Sequence, residues 1–151
     1  MSALNSLETR MAPLTLAALR IVSGALFLEH GLVKLIGFPA GAQPGAQPLL
    51  GIFGVGGAIE LVTGLLLIVG LFTRPAAFIA SGQMAVAYWL FHAPASLFPA
   101  VNGGDAAILF SFVFLYIAAA GAGSFSVDRL LKDTSHRSRV GFGGPVTSNS
   151  I

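Results

Sequence analysis

The chain has 151 residues, of which 55% are hydrophobic and 9% charged, with a mean hydropathy of +0.84 and a formal charge of +2. A soluble domain carries about 25% charged residues to wet its surface, so this composition makes lipid the solvent and leaves no room for a separate soluble domain. Cysteine is absent, which excludes disulfide chemistry, thiolate metal sites and iron–sulfur clusters, and the small charge without a basic stripe excludes nucleic acid.

Residues 1–13 read as a polar segment closed by Pro13, a residue tolerated in a first helical turn. Four apolar spans are expected at 14–35, 50–72, 76–91 and 105–122, each close to the ~20 residues that cross a hydrocarbon core of roughly 30 Å. Between the first two, Pro39, Gln43, Pro44 and Gln47 with Gly41 and Gly45 mark a non-helical loop. Arg74-Pro75 turns the chain into the third span, the shortest, which can continue toward Phe98 as a bent segment. A loop with Pro94, Pro99 and Asn102-Gly103-Gly104 precedes the fourth. The expected fold is all-α, an integral membrane four-helix antiparallel bundle. The tail, 123–151, begins with an interfacial turn at Val127 to Leu131 and then reads as disordered.

Ala40-Gly41-Ala42 resembles a signal cleavage site, but Glu29, His30 and Lys34 would lie between it and the apolar stretch, which signal peptides avoid. Orientation follows from the basic residues. Arg10, Arg74, Arg129, Lys132, Arg137 and Arg139 flank one side, whereas loops 36–49 and 93–104 hold no Lys or Arg. Both termini are therefore expected to be cytoplasmic.

Charges inside the spans need a reason, because each is costly there. At ~1.5 Å per residue, Arg20 lies roughly 9 Å from the cytoplasmic edge, Glu60 about 18 Å, and Glu29 and His30 about 22–24 Å. Side chains lean toward their helix N-terminus, so Lys34 and Glu60 lean toward each other from antiparallel spans. Arg20, Gly24, Phe27, Gly31 and Lys34 share one helical stripe. Gly56 and Gly64, four residues either side of Glu60, admit a neighbouring helix. Either a ligand site or a structural ion-pair network accounts for the set. Arg20 is expected to snorkel to the headgroups, His92 to sit at the outer boundary, and Asn102 with Asp105 to cap the fourth span. Two histidines on different spans invite a metal or haem, but no paired ligand motif occurs and a haem would crowd so small a bundle. No metal is expected.

The pattern resembles the DoxX family of small four-span bacterial membrane proteins. The resemblance covers roughly residues 19–128. It rests on Arg20 with Gly24, His30-Gly31 and Lys34, Glu60 with Gly64, Gly70-Leu71-Phe72-Thr73-Arg74 followed by Ala76-Ala77, His92, the Asn102-Gly103-Gly104-Asp105 turn, and Gly121/Gly123 with Ser126 and Asp128. The family usually has Glu where this chain has Asp105. The resemblance implies the bacterial inner membrane and a likeness to the DoxD-type membrane subunit of thiosulfate:quinone oxidoreductase, once assigned to a terminal quinol oxidase. A quinone, a second protein subunit and self-association are the partners it suggests. Glu60, His30, Lys34, Arg20, Glu29, His92, Asn102 and Asp105 are the candidate ligand-binding residues. The alternatives are a non-enzymatic bundle that binds or transports a small solute, and a scaffold for a soluble oxidoreductase.

Overall fold

A computed structural model describes the backbone of residues 3–141 and the side chains of Thr9 and residues 11–135. Every regular element among them is helical: α1 (Ala3–Ile36), α2 (Ile52–Val69), α3 (Thr73–Ala87) running on as a π-helical turn (Tyr88–His92), α4 (Pro99–Asn102), α5 (Asp105–Ala120) and α6 (Val127–Gly141). α1 packs on α2, α2 on α3, α3 on α5, and α5 on α1, so the four long helices before the tail close a ring. The three-residue turn between α2 and α3 makes those helices antiparallel.

Two segments are more helical than expected. α1 begins far ahead of residue 14, because Ala, Leu, Glu and Met before Pro13 are good helix formers. Pro13 therefore lies inside the helix. In the tail, Val127–Gly141 is a helix, correcting the expected disorder. Its start is signalled by Ser126, whose Oγ accepts the Arg129 N–H at 3.4 Å as an N-cap does. Residues 142–151 and the side chains of Arg10, Arg137 and Arg139 lie outside the described residues.

The exterior is apolar and the interior carries the polar groups. Val22, Leu26, Val62, Leu65, Phe78, Leu109 and Phe112 are exposed, whereas Arg20, Ser23, Glu60, Thr63, Thr73 and Ser81 are buried. A water-soluble fold inverts this arrangement; in lipid it is the stable one. By length and composition, Met11–Ile36 and Ile52–Val69 are able to cross a membrane, and α5 is a shorter apolar helix.

Small residues set the helix spacing. A Cβ at Gly31 would lie 2.7 Å from Leu61 N and 2.8 Å from Gly57 O, and one at Gly64 would lie 2.8 Å from Leu28 N. The α1–α2 seam is thus Gly24 and Gly31 against Gly57 and Gly64; Gly56 instead faces Gln83. Between α3 and α5, Ser81 Oγ donates to Ser111 O at 2.8 Å and Ser111 Oγ to Ser81 O at 3.1 Å. Phe27, Phe110 and Phe114 fill the centre, with the Phe27 and Phe114 rings 4.8 Å apart.

Gly31→Ala is expected to lower stability by about 1–3 kcal/mol, since backbone must move to admit the methyl. Gly82 has open space around its would-be Cβ, so Gly82→Ala should hold or gain up to ~1 kcal/mol from helix propensity. Thermal unfolding in detergent checks both, and equal behaviour of the two variants would show that glycine does not set the seam.

Candidate ligand-binding site

Three helices meet at one carboxylate. Lys34 of α1 donates to Glu60 Oε1 of α2 and forms an ion pair with it. Gln83 of α3 donates from Nε2 to the same oxygen at 3.0 Å and to Gly56 O at 3.0 Å. Glu60 is 1% exposed. A carboxylate this deep needs partners or loses its charge, and Lys34 with Gln83 supplies them to one oxygen only. Glu60 Oε2 and Gln83 Oε1 are buried with no hydrogen-bond partner in the protein.

Beside this cluster lies a cavity of about 430 Å³ lined by Lys34, Glu60, Gln83, His30 and His92 among mainly apolar side chains. Phe27, Phe53, Phe91 and Phe110 form much of its wall. His30 Nδ1 sits 2.8 Å from Leu26 O, and its ring meets Phe110 edge-on with centroids 6.1 Å apart. His92 Nδ1 sits 3.1 Å from Asn102 O. The π-helical turn delivers Phe91 and His92 to the cavity: Ala93 N–H bonds to Tyr88 O at 2.9 Å, one residue wider than an α-helical bond. Pro94 has no N–H to continue the ladder, so the helix stops there. Such turns recur at functional sites.

Of the candidate residues, Glu60, Lys34, His30 and His92 share the cavity and four do not. Glu29 is exposed on the outside of α1, and Asp105 is exposed in the first turn of α5. Asn102 is a loop strut. Its Nδ2 donates to Ser96 O at 2.6 Å and its Oδ1 accepts the Gly104 N–H at 2.6 Å. The N-cap of α5 is Gly104, with no side-chain cap, which corrects the expectation that Asn102 and Asp105 cap this helix. Gln83 carries no charge to mark it in the sequence, but an amide within an apolar span also needs partners there, and that rule finds it.

Arg20 does not snorkel. It is fully buried near the middle of α1, at the other end of the bundle from Glu60, and its guanidinium fills a cage of backbone carbonyls. Nε donates to Ala122 O at 2.9 Å, Nη1 to Leu67 O and to Ile68 O at 3.0 Å, and Nη2 to Phe125 O at 2.9 Å and Ser124 O at 3.4 Å. These are the last-turn carbonyls of α2 and the strand of chain linking α5 to α6. Gly70 has φ +70°, and a Cβ there would meet Ser126 Cβ at 2.5 Å and Arg20 Nη1 at 2.6 Å. Arg74 closes α5 in the same way, with Nη1 on Ala118 O at 2.9 Å and Ala119 O at 2.7 Å. At the start of α3, Asp128 accepts the Phe72 and Thr73 N–H groups, both at 2.9 Å.

Burial by itself would raise the Asp128 carboxyl, but the hydrogen bonds from Thr73 and Phe72 and the nearby Lys132 charge outweigh it and hold the group below its ordinary value. A carboxyl depressed by folding stabilises the protein above its unfolded pKa and loses that effect as pH falls through the folded one. The wild-type melting temperature is therefore expected to fall in the acid range below about pH 4, with a shallower fall in Asp128→Asn; identical acid limbs would remove Asp128 from this role. For Arg20→Lys, a loss of at least ~2 kcal/mol is expected in thermal melts, because an ammonium cannot reproduce the planar fork. Lysine snorkels as well as arginine, so an unchanged melt would restore the headgroup reading.

Known proteins resemble this chain in sequence. The DoxX family profile matches residues 15–93, which hold α2, α3, the π turn and most of α1. A Haemophilus influenzae protein described as an uncharacterized protein is 43% identical over 132 residues, spanning 83% of this chain and 96% of its own length. No solved structure matches. The glycine seam, the Lys34–Glu60 pair and the Gly70–Arg74 turn all fall within the matched segment, and the chain belongs to the DoxX family of membrane proteins.

Proposed function

We propose that this DoxX family protein is the integral membrane subunit of a quinone-linked redox complex and holds the quinone head group in the cavity at the Glu60 end. The observation that carries the reading is the pair of unpartnered buried atoms, Glu60 Oε2 and Gln83 Oε1, beside a cavity walled by phenylalanine rings. An isoprenoid-bearing ring needs apolar walls and a few convergent polar groups, and these residues fit that demand. A quinone when bound supplies two-electron, two-proton carrier chemistry. Glu60, Lys34, Gln83 and His30 orient the head group, and the Lys34–Glu60 pair provides a protonatable group beside it. Phe53 and Phe91, with ring centroids 4.8 Å apart, shield the polar floor from acyl chains.

The chain has no thiol to carry electrons, so a second subunit supplies them on this reading. Four passes through the bacterial inner membrane, with both termini cytoplasmic, follow from the uncharged loops 36–49 and 93–104. The cavity then lies toward the outer leaflet.

The test titrates a short-chain quinone, in both redox states, into purified Glu60→Gln, Lys34→Ala and His30→Ala beside their thermal melts. Affinity reduced by roughly tenfold or more, with melts little changed, is the expected result. Melts that fall and are partly restored in the Glu60→Gln/Lys34→Met double variant, with affinity per folded molecule unchanged, would make the pair a structural strut.

A further inference from the structure

The polar atoms that the cavity leaves free are nearly all acceptors. Gln83 Nε2 is engaged twice, on Glu60 Oε1 and Gly56 O. Both of those atoms are acceptors, so the amide nitrogen must face them and the amide oxygen is the free end. Glu60 Oε2 is likewise free, and both oxygens are buried. The histidines are fixed in the same sense. Leu26 O and Asn102 O have no proton to give, so the hydrogen in each contact belongs to Nδ1 of His30 and of His92. A neutral ring bonded through Nδ1–H presents Nε2 as an acceptor. Lys34 is the exception, an ammonium with N–H groups to spare that is drawn onto Glu60. Gln43, exposed on the lining loop, can turn either end of its amide inward.

We infer that this cavity selects its ligand by hydrogen-bond donors: a flat apolar body bearing hydroxyl groups, the hydroquinone, in preference to the same body bearing carbonyls. The inference rests on the quinone-site reading above and adds the redox state that binds. A hydroxyl group gives Glu60 Oε2 a charge-assisted bond and can partner Gln83 Oε1. A carbonyl group offers no proton to either oxygen and leaves both buried and unsatisfied. Sites built to bond one partner reject an analogue that lacks it far more strongly than apolar pockets reject a change of size. The preference lies in binding alone, and no electron transfer is needed to express it.

Calorimetric titration of the purified full-length protein with three probes tests this: a short-chain hydroquinone kept reduced, its dimethyl ether, and its quinone. The ether keeps the aromatic body and removes both O–H groups. The hydroquinone is expected to bind at least roughly tenfold more tightly than the other two. Glu60→Gln and Gln83→Met each remove a free acceptor and should narrow that gap, the second variant serving if the first does not fold. Equal affinities, a tighter quinone, or a gap unchanged in both variants would overturn donor selection while leaving a quinone site in place. Failure of all three probes to bind would overturn the quinone site itself, and this inference with it.

Discussion

A helix that ends in an apolar medium leaves its last carbonyls with no water to bond, at several kcal/mol for each unsatisfied group. Here the end of α2 meets that problem through one guanidinium. Arg20 reaches Leu67 and Ile68 at the end of α2 and also Ala122, Ser124 and Phe125 beyond α5. The rest of that end depends on this placement. Gly70 must lack a side chain to clear the guanidinium, and the chain after α5 must fold back against α1, where Ser124 N–H bonds to Pro13 O. That return brings Asp128 onto the N–H groups of Phe72 and Thr73 at the start of α3. A charge buried in a membrane bundle is here the element that joins α1, α2 and the α5–α6 connection.

Among the described residues, both ends of the bundle bury polar oxygens without a partner, Thr73 Oγ1 alone at the Arg20 end and Glu60 Oε2 with Gln83 Oε1 at the other, but only the second pair adjoins the phenylalanine-walled cavity. Around Arg20 the guanidinium nitrogens all find carbonyls, and those carbonyls find donors. Around Glu60 two buried oxygens find none. Native folds leave few buried polar groups unpaired, so a cluster with two such atoms beside a cavity is better matched to a ligand than to a strut. The glycine seam makes this arrangement possible: Gly31 and Gly57 bring α1 and α2 close enough for Lys34 to reach Glu60.

Periodicity and the cost of intramembrane charge were enough to identify the α1 stripe. Arg20, Phe27 and Gly31 are buried on it, with Lys34 largely so. The same reasoning singled out Glu60. The cage around Arg20 is not legible in the same way, because depth along a helix does not reveal which carbonyls another helix will present. Gly57, not Gly56, lies in the α1–α2 seam, because a four-residue spacing from Glu60 defines a face of α2 but not the neighbour that face meets. Gln83 escaped because a neutral amide leaves no mark in a charge count. The π turn has no reliable local signal, since its register depends on packing, and it places His92 on the cavity wall.

The cavity's charge balance bears on what enters it. Lys34 and Glu60 pair as opposite charges, so the floor is polar with no net charge from that pair. Phe53 and Phe91 are both partly exposed on the outside of the bundle and both line the cavity, which places an aromatic pair between lipid and floor. A neutral, lipid-soluble ligand crosses such a rim at little cost, whereas an ion would have to shed its water against phenylalanine. Inside, an oxyanion would meet the acceptors Glu60 Oε2 and Gln83 Oε1, with Lys34 as the one cationic donor, already paired to Glu60. The aromatic rim and the paired floor together match a neutral, lipid-soluble ligand better than a hydrated ion.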